Sequence, residues 1–118
     1  MRLYGKSTCT TCRNAKSFLT KSGVEFDWRD YGKHPFTATE LEALIGRRKV
    51  DDFINPRSTP YRNLGLAGSR LSKSQAVDLL LEEANLLKRP LLVCGAEYVF
   101  GFDRRRYEEI ACAATSRR

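Results

Sequence analysis

The stretch Arg2-Leu3-Tyr4-Gly5-Lys6-Ser7-Thr8-Cys9-Thr10-Thr11-Cys12-Arg13-Asn14-Ala15-Lys16 decides how the chain is read. Arg2 to Tyr4 predicts a short strand ending at Gly5, and the polar run Lys6 to Thr11 leads into a helical pattern. In that pattern Ala15, Phe18 and Leu19 recur at helical spacing, while Arg13, Asn14, Lys16 and Lys21 take the other face. Gly23 stops the helix. Val24 to Trp28 then alternates apolar and charged residues, which predicts a second strand with one face buried. The opening unit is therefore β, α, β, with a Cys-x-x-Cys pair between its first strand and its helix.

That placement has a chemical use. Free backbone N–H groups and the positive end of the helix dipole lower the pKa of a thiol facing them, and the thiolate is the reactive form. Cys9 stands just ahead of the helix and is expected to be the nucleophile. Cys12, one turn on, is expected to resolve a mixed disulfide formed on Cys9. Lys6 and Arg13 are expected to add positive charge. The bland alternative is two small apolar residues at a helix start. Zinc would need two more ligands, and His34, Cys94 and Cys112 stand at no zinc spacing, so no metal is expected. Cys94 reads as a buried filler, Cys112 as partly exposed, His34 as a surface residue and Trp28 as packing.

Beyond the opening unit, Asp30 to Phe36 reads as a loop. Thr37 with Glu40 forms a capping box for a helix through about Ile45. Val50 to Asn55 is ambiguous. A short helix containing Tyr61 and Leu64 ends near Gly65. Ser72 caps a further helix to about Ala84, with Ala76, Val77, Leu79, Leu80 and Leu81 as its apolar face, and Asn85 to Lys88 is a linker. Leu91 to Cys94, a turn at Gly95-Ala96 and Glu97 to Phe100 make a β-hairpin. Asp103 caps a last helix with Tyr107, Ile110, Ala111 and Ala114 in one stripe, and Thr115 to Arg118 is a frayed tail. Pro90 stands just before the hairpin. It has two readings: a cis turn that frees the preceding backbone to approach the cysteine loop, or a strand start where a missing donor is tolerated. Arg89 could hold an oxyanion or carboxylate through its fork, or be a solvated charge.

A chain of 118 residues with 42% hydrophobic content can bury one core without staples. No apolar run approaches the roughly 20 residues of a membrane span, and the N-terminus lacks an apolar signal region, so a cytoplasmic, membrane-free protein is expected. There the four cysteines would be kept reduced, which favours redox use over stapling. The net charge of +7 favours anionic partners. The basic residues are scattered and not interleaved with aromatics, so direct nucleic-acid binding is not expected.

Three segments resemble the signatures of the ArsC/Spx family. They are Tyr4-Gly5-x-x-x-Cys9-Thr10-Thr11-Cys12-Arg13-Asn14-Ala15-Lys16, Arg57-Ser58-x-x-Tyr61-x-x-Leu64-Gly65-Leu66 and Leu87-Lys88-Arg89-Pro90-Leu91-Leu92-Val93. The resemblance implies an α/β, thioredoxin-like (glutaredoxin-type) fold: a mixed four-stranded sheet with a helical insertion. The single domain would have its core at about 1–31 and 86–114 and its insertion at about 32–85. It also implies a cytoplasmic thiol oxidoreductase with Cys9 as nucleophile and Cys12 as second cysteine. Arg57, Arg89, Thr10, Thr11 and Arg13 would form the substrate-binding set, with Pro90 as a cis-proline candidate. No bound cofactor is implied; glutathione with glutaredoxin, or thioredoxin, is the expected reductant, and the protein is expected to be monomeric.

Within that family the glutathione-dependent arsenate reductases use three oxyanion-binding arginines. One falls on Arg89 here. The other two fall on Asn55 and near Gly101, while Arg57 matches an arginine of Spx-type regulators. An oxyanion held for thiolate attack needs convergent positive donors, so arsenate is a doubtful substrate and a disulfide or other small thiol the better one. The alternative is a redox-sensing regulator that contacts RNA polymerase, although the glycine such regulators place before the Arg57 segment is Lys49 here.

Overall fold

The computed structural model describes residues 1–66, 68 and 70–116, with 115 and 116 described by backbone alone. The elements are β1 (Arg2–Gly5), α1 (Thr10–Lys21), β2 (Asp27–Asp30), α2 (Ala38–Ile45), α3 (Thr59–Asn63), α4 (Lys73–Glu82), β3 (Leu91–Cys94), β4 (Glu97–Phe100) and α5 (Arg104–Ser116). Two compact units result. One holds Met1–His34 and the segment from Arg89 onward, and the other Pro35–Lys88.

The first unit is built on a mixed sheet of order β2-β1-β3-β4, in which β1 runs parallel to β2 and antiparallel to β3. β3 and β4 form the hairpin expected around Gly95, whose φ of +59° suits glycine. Register places Trp28, Leu3, Leu92 and Val99 in one row across all four strands. That row, with Ala15 and Leu19 of α1 and Tyr107, Ile110 and Ala111 of α5, makes the core of this unit. The Tyr107 ring meets Phe102 edge-on at 4.9 Å and Phe18 at 6.2 Å, fixing α5 against α1. Each large apolar side chain fully buried here contributes about 1.5–3 kcal/mol.

In the second unit α2 packs on α4, and both begin in capping boxes, Thr37 with Glu40 and Ser72 with Gln75. Leu41, Leu44, Ile45, Phe53, Ile54, Ala76, Val77, Leu80, Leu86 and Leu87 are buried. Lys73 Nζ donates to the Gly46 carbonyl at 3.0 Å, closing the C-terminal end of α2.

The structure corrects several local expectations. The second strand begins at Asp27, not Val24, because its register is set by parallel pairing with β1, from Arg2↔Asp27 to Gly5↔Asp30. Val24 and Phe26 reach the core from the preceding coil. α4 ends at Glu82 and Leu81 is 42% exposed, so the apolar face is narrower than its leucines suggest. Asn85 to Lys88 is no linker: it enters from a 3-10 turn at Ala84–Leu86 and pairs by Asn55 N–H to the Leu86 carbonyl and Lys88 N–H to that of Phe53. The ambiguous stretch holds another 3-10 turn, Val50–Asp52. Cys94 is half-buried at the core's edge instead of inside it. α5 continues to Ser116, and the rest of the expected frayed tail, 117–118, lies outside the described residues. Among the described residues no helix is long and apolar enough to cross a membrane.

Candidate functional site: the Cys9–Cys12 pair

The pair sits where the chain turns from β1 into α1. A tight turn closes through Cys9 N–H to the Lys6 carbonyl at 3.0 Å, and Arg13 N–H then bonds the Cys9 carbonyl at 3.0 Å. Cys9 is thereby the N-cap of α1, extended at φ −93° and ψ 121°. Asn, Asp or Ser would normally supply an acceptor here. In their place stands a sulfur, with the Cys12 backbone N–H and thiol and the Arg89 guanidinium facing it.

The two thiols are unlike. Cys9 is partly exposed and Cys12 buried, and all four cysteines are free thiols. Burial pushes Cys9 up, but the Cys12 N–H and thiol and then Arg89 outweigh it, and the net shift is below the ordinary thiol value. Burial pushes Cys12 up to about 12, and its proximity to Cys9 adds to the rise against a Lys6 backbone donor that opposes it. The thiolate of the pair therefore resides on the accessible sulfur.

Gly5 makes room for this arrangement. A Cβ at Gly5 would stand 2.9 Å from Cys12 Sγ and 3.0 Å from the Trp28 ring. Trp28 thus lies beside the pair, with the Lys16 ammonium 5.0 Å above its ring.

Two residues at the end of β2 complete the surroundings and were not foreseen from sequence. Asp30, 6% exposed, accepts from Ser7 Oγ at 2.6 Å and Ser7 N–H at 3.1 Å, and from Gly32 N–H at 2.9 Å and Lys33 N–H at 3.3 Å. The Ser7 hydroxyl first, and the three N–H groups with it, hold this carboxyl below the usual carboxylate range despite burial. Tyr31, 1% exposed, continues the β1 pairing through its N–H to the Gly5 carbonyl at 3.1 Å and lays its hydroxyl against Arg89. Burial raises that phenol well above its ordinary value. The Asp-x-Gly spacing of Asp30 and Gly32 carried a signal, since an Asp carboxylate commonly accepts from the N–H two residues on. Nothing in the sequence pointed to Tyr31.

Of the expected site residues, Cys9, Cys12, Thr10, Thr11, Arg13, Arg89 and Pro90 all belong to the first unit. The Arg89–Pro90 peptide bond is cis, and the Pro90 carbonyl accepts from Gly101 N–H at 2.8 Å. Thr10 and Thr11 are exposed on the first turn of α1. The Arg13 guanidinium bonds Thr10 Oγ1 at 3.2 Å on the exposed face, and Arg89 is a cation that bears on Cys9. Lys6 turns its backbone N–H toward Cys12. Arg57 belongs to the second unit, exposed, with its N–H on Asn55 Oδ1 at 3.0 Å and its carbonyl accepting from Arg62. Among the described residues no three His, Cys, Asp or Glu side chains gather as metal ligands would.

Known proteins bear on most of the chain. Regulatory protein MgsR of Bacillus subtilis (strain 168) is 29% identical over 105 residues, covering 87% of this chain and 83% of that protein. Global transcriptional regulator Spx of Streptococcus pyogenes serotype M1 is 28% identical over 103 residues, covering 86% of this chain and 77% of that protein. Among solved structures, a possible arsenate reductase from Streptococcus mutans UA159 superposes with a TM-score of 0.76 at 32% identity, covering 92% of this chain and 95% of that one. The ArsC family model matches residues 4–110, and the chain belongs to the ArsC family.

Proposed function

We propose that this protein is a thiol–disulfide oxidoreductase whose nucleophile is Cys9. The observation that carries the reading is the division of labour within the pair: an accessible sulfur with lowered pKa beside a buried one with raised pKa. The Cys9 thiolate attacks a disulfide sulfur of the substrate, forms a mixed disulfide and expels one substrate thiolate. Cys12, after losing its proton, attacks the Cys9 sulfur; the second substrate thiolate leaves and the pair is left oxidised. Glutathione with glutaredoxin, or thioredoxin, would return two electrons. When no resolving step occurs at Cys12, an external thiol releases the product from Cys9.

Arg89 is the cation of the first unit that faces Cys9, and it would steady an anionic substrate group such as a glutathione carboxylate. Two of the three positions that the arsenate reductases fill with arginine fall here on Asn55 and near Gly101, so a glutathionylated or otherwise disulfide-bonded substrate is the better fit. The test follows reduction of a glutathionylated peptide and of arsenate by wild type and Cys9→Ser, with glutathione and thioredoxin both supplied. Turnover of the peptide lost in Cys9→Ser is expected. No wild-type activity on either substrate overturns the reading.

A second reading has its own support, because relatives matched over most of their length are named regulators. In it the Cys9–Cys12 disulfide changes binding to RNA polymerase and nothing is turned over. Pull-down with the isolated carboxy-terminal domain of the polymerase α chain, reduced and oxidised, separates the two: redox-dependent capture supports the regulator, and its absence in both states the enzyme.

A further inference from the structure

Ser7 lies at the centre of the cysteine loop. The residue before it supplies both the carbonyl that closes the turn on Cys9 N–H and the backbone N–H that faces Cys12. Two residues after it comes Cys9 itself. Whatever fixes Ser7 therefore fixes where the Cys9 sulfur meets its donors.

Ser7 is fixed by one carboxylate. Asp30 Oδ2 takes both the Ser7 N–H and the Ser7 hydroxyl, while Oδ1 takes Gly32 and Lys33 N–H from the turn that follows β2. The carboxylate is thus a four-bond clamp between the β1–α1 loop and the β2 turn. The packing over it is close: a Cβ at Gly32 would stand 3.0 Å from Lys6 Cε and 3.1 Å from Asp30 Oδ1. A buried carboxylate costs stability unless its lone pairs are met, and here both oxygens are. Its negative charge, by itself, works against a thiolate nearby. The arrangement is intelligible as positioning, not as electrostatic activation.

We infer that Asp30 is a positioning residue for the nucleophile, holding Ser7 so that the Cys9 sulfur stays on the Cys12 N–H and the Arg89 guanidinium. This rests on the reading of Cys9 as the nucleophile and adds the residue that sets its reactivity without touching substrate. Charge and position predict opposite outcomes for Asp30→Asn. If only charge mattered, removing it would make the Cys9 thiolate form at lower pH. If position matters, the single amide oxygen meets either the Ser7 pair or the Gly32 and Lys33 N–H groups but not both, the clamp opens, the loop relaxes and the thiolate forms at higher pH.

The experiment is alkylation of Cys9 by iodoacetamide, followed across pH by peptide mass spectrometry, in wild type, Asp30→Asn and Ser7→Ala, with thermal melts alongside. No substrate is needed, so its outcome is independent of turnover: a wild-type Cys9 midpoint at the ordinary thiol value would sink the proposed function, whereas a low wild-type midpoint with unaltered variants sinks only this inference. The expected result is an upward shift of about one unit in Asp30→Asn, read as a roughly tenfold slower alkylation at any pH below both midpoints, with a smaller upward shift in Ser7→Ala. A midpoint in Asp30→Asn that is unchanged or lower, with only the melt affected, overturns it. Should Asp30→Asn not fold, an unchanged midpoint in Ser7→Ala does the same.

Discussion

Gly5 and Cys12 occupy one another's space: a Cβ at residue 5 would lie 2.9 Å from the Cys12 sulfur and 3.0 Å from its Cβ. The last residue of β1 is thus glycine for the sake of the buried thiol, and the pair is packed from below by the sheet's own backbone. Gly5→Ala should destabilise the fold by about 1–3 kcal/mol through overpacking, measured by urea unfolding. Part of that loss should return in the double variant with Cys12→Ala, which removes the sulfur. Additive losses would mean that the strain falls elsewhere.

Arg89 should add to the depression of the Cys9 thiol, after the Cys12 N–H and thiol. With its thiol pKa depressed by folding, the Cys9 thiolate adds stability that is fully present above the unfolded thiol's value and is lost as pH falls through the folded one. Arg89→Met should move the Cys9 alkylation midpoint up toward an ordinary thiol and flatten that part of the stability curve. Cys12, pushed up to about 12, should stay unalkylated at neutral pH in the folded wild type.

Tyr31→Phe removes one buried hydroxyl that lies against Arg89. With that contact gone Arg89 is less firmly held toward Cys9, so alkylation of Cys9 below its midpoint should slow several-fold while the far-UV spectrum is retained. An unaltered rate would show that Arg89 keeps its place without the phenol.

Both capping boxes of the second unit should count. Thr37→Ala and Ser72→Ala each lose a side-chain acceptor for the N–H three residues on, at 3.1 Å in both cases. Each should cost about 1 kcal/mol in denaturant unfolding.

The elements with strong local chemistry were legible in the sequence. Thr37 with Glu40, the Gly95 turn and the Cys9 start of α1 all stand where spacing and turn residues placed them. The misplaced edge of β2 has a different origin. Its alternation of Val24, Phe26 and Trp28 reports burial, which coil packed on a core also shows, while the strand itself is defined by pairing with β1 that no local pattern encodes. The site divides the same way. Cys9 and Cys12 announce themselves by spacing and Arg89 by its place before Pro90, whereas Asp30 and Tyr31 come beside them only because the sheet pairs β2 with β1. Leu81 shows the limit of apolar content as a guide, since a leucine one position off the buried face faces out.

The central claim, that Cys9 attacks and Cys12 resolves, is met most directly by trapping. Cys12→Ser incubated with a glutathionylated peptide should accumulate a stable mixed disulfide, and peptide mapping should place it on Cys9 alone, with Cys9→Ser forming none at that position. An adduct confined to Cys94 or Cys112, or no adduct at all with wild type equally inert, would contradict the account.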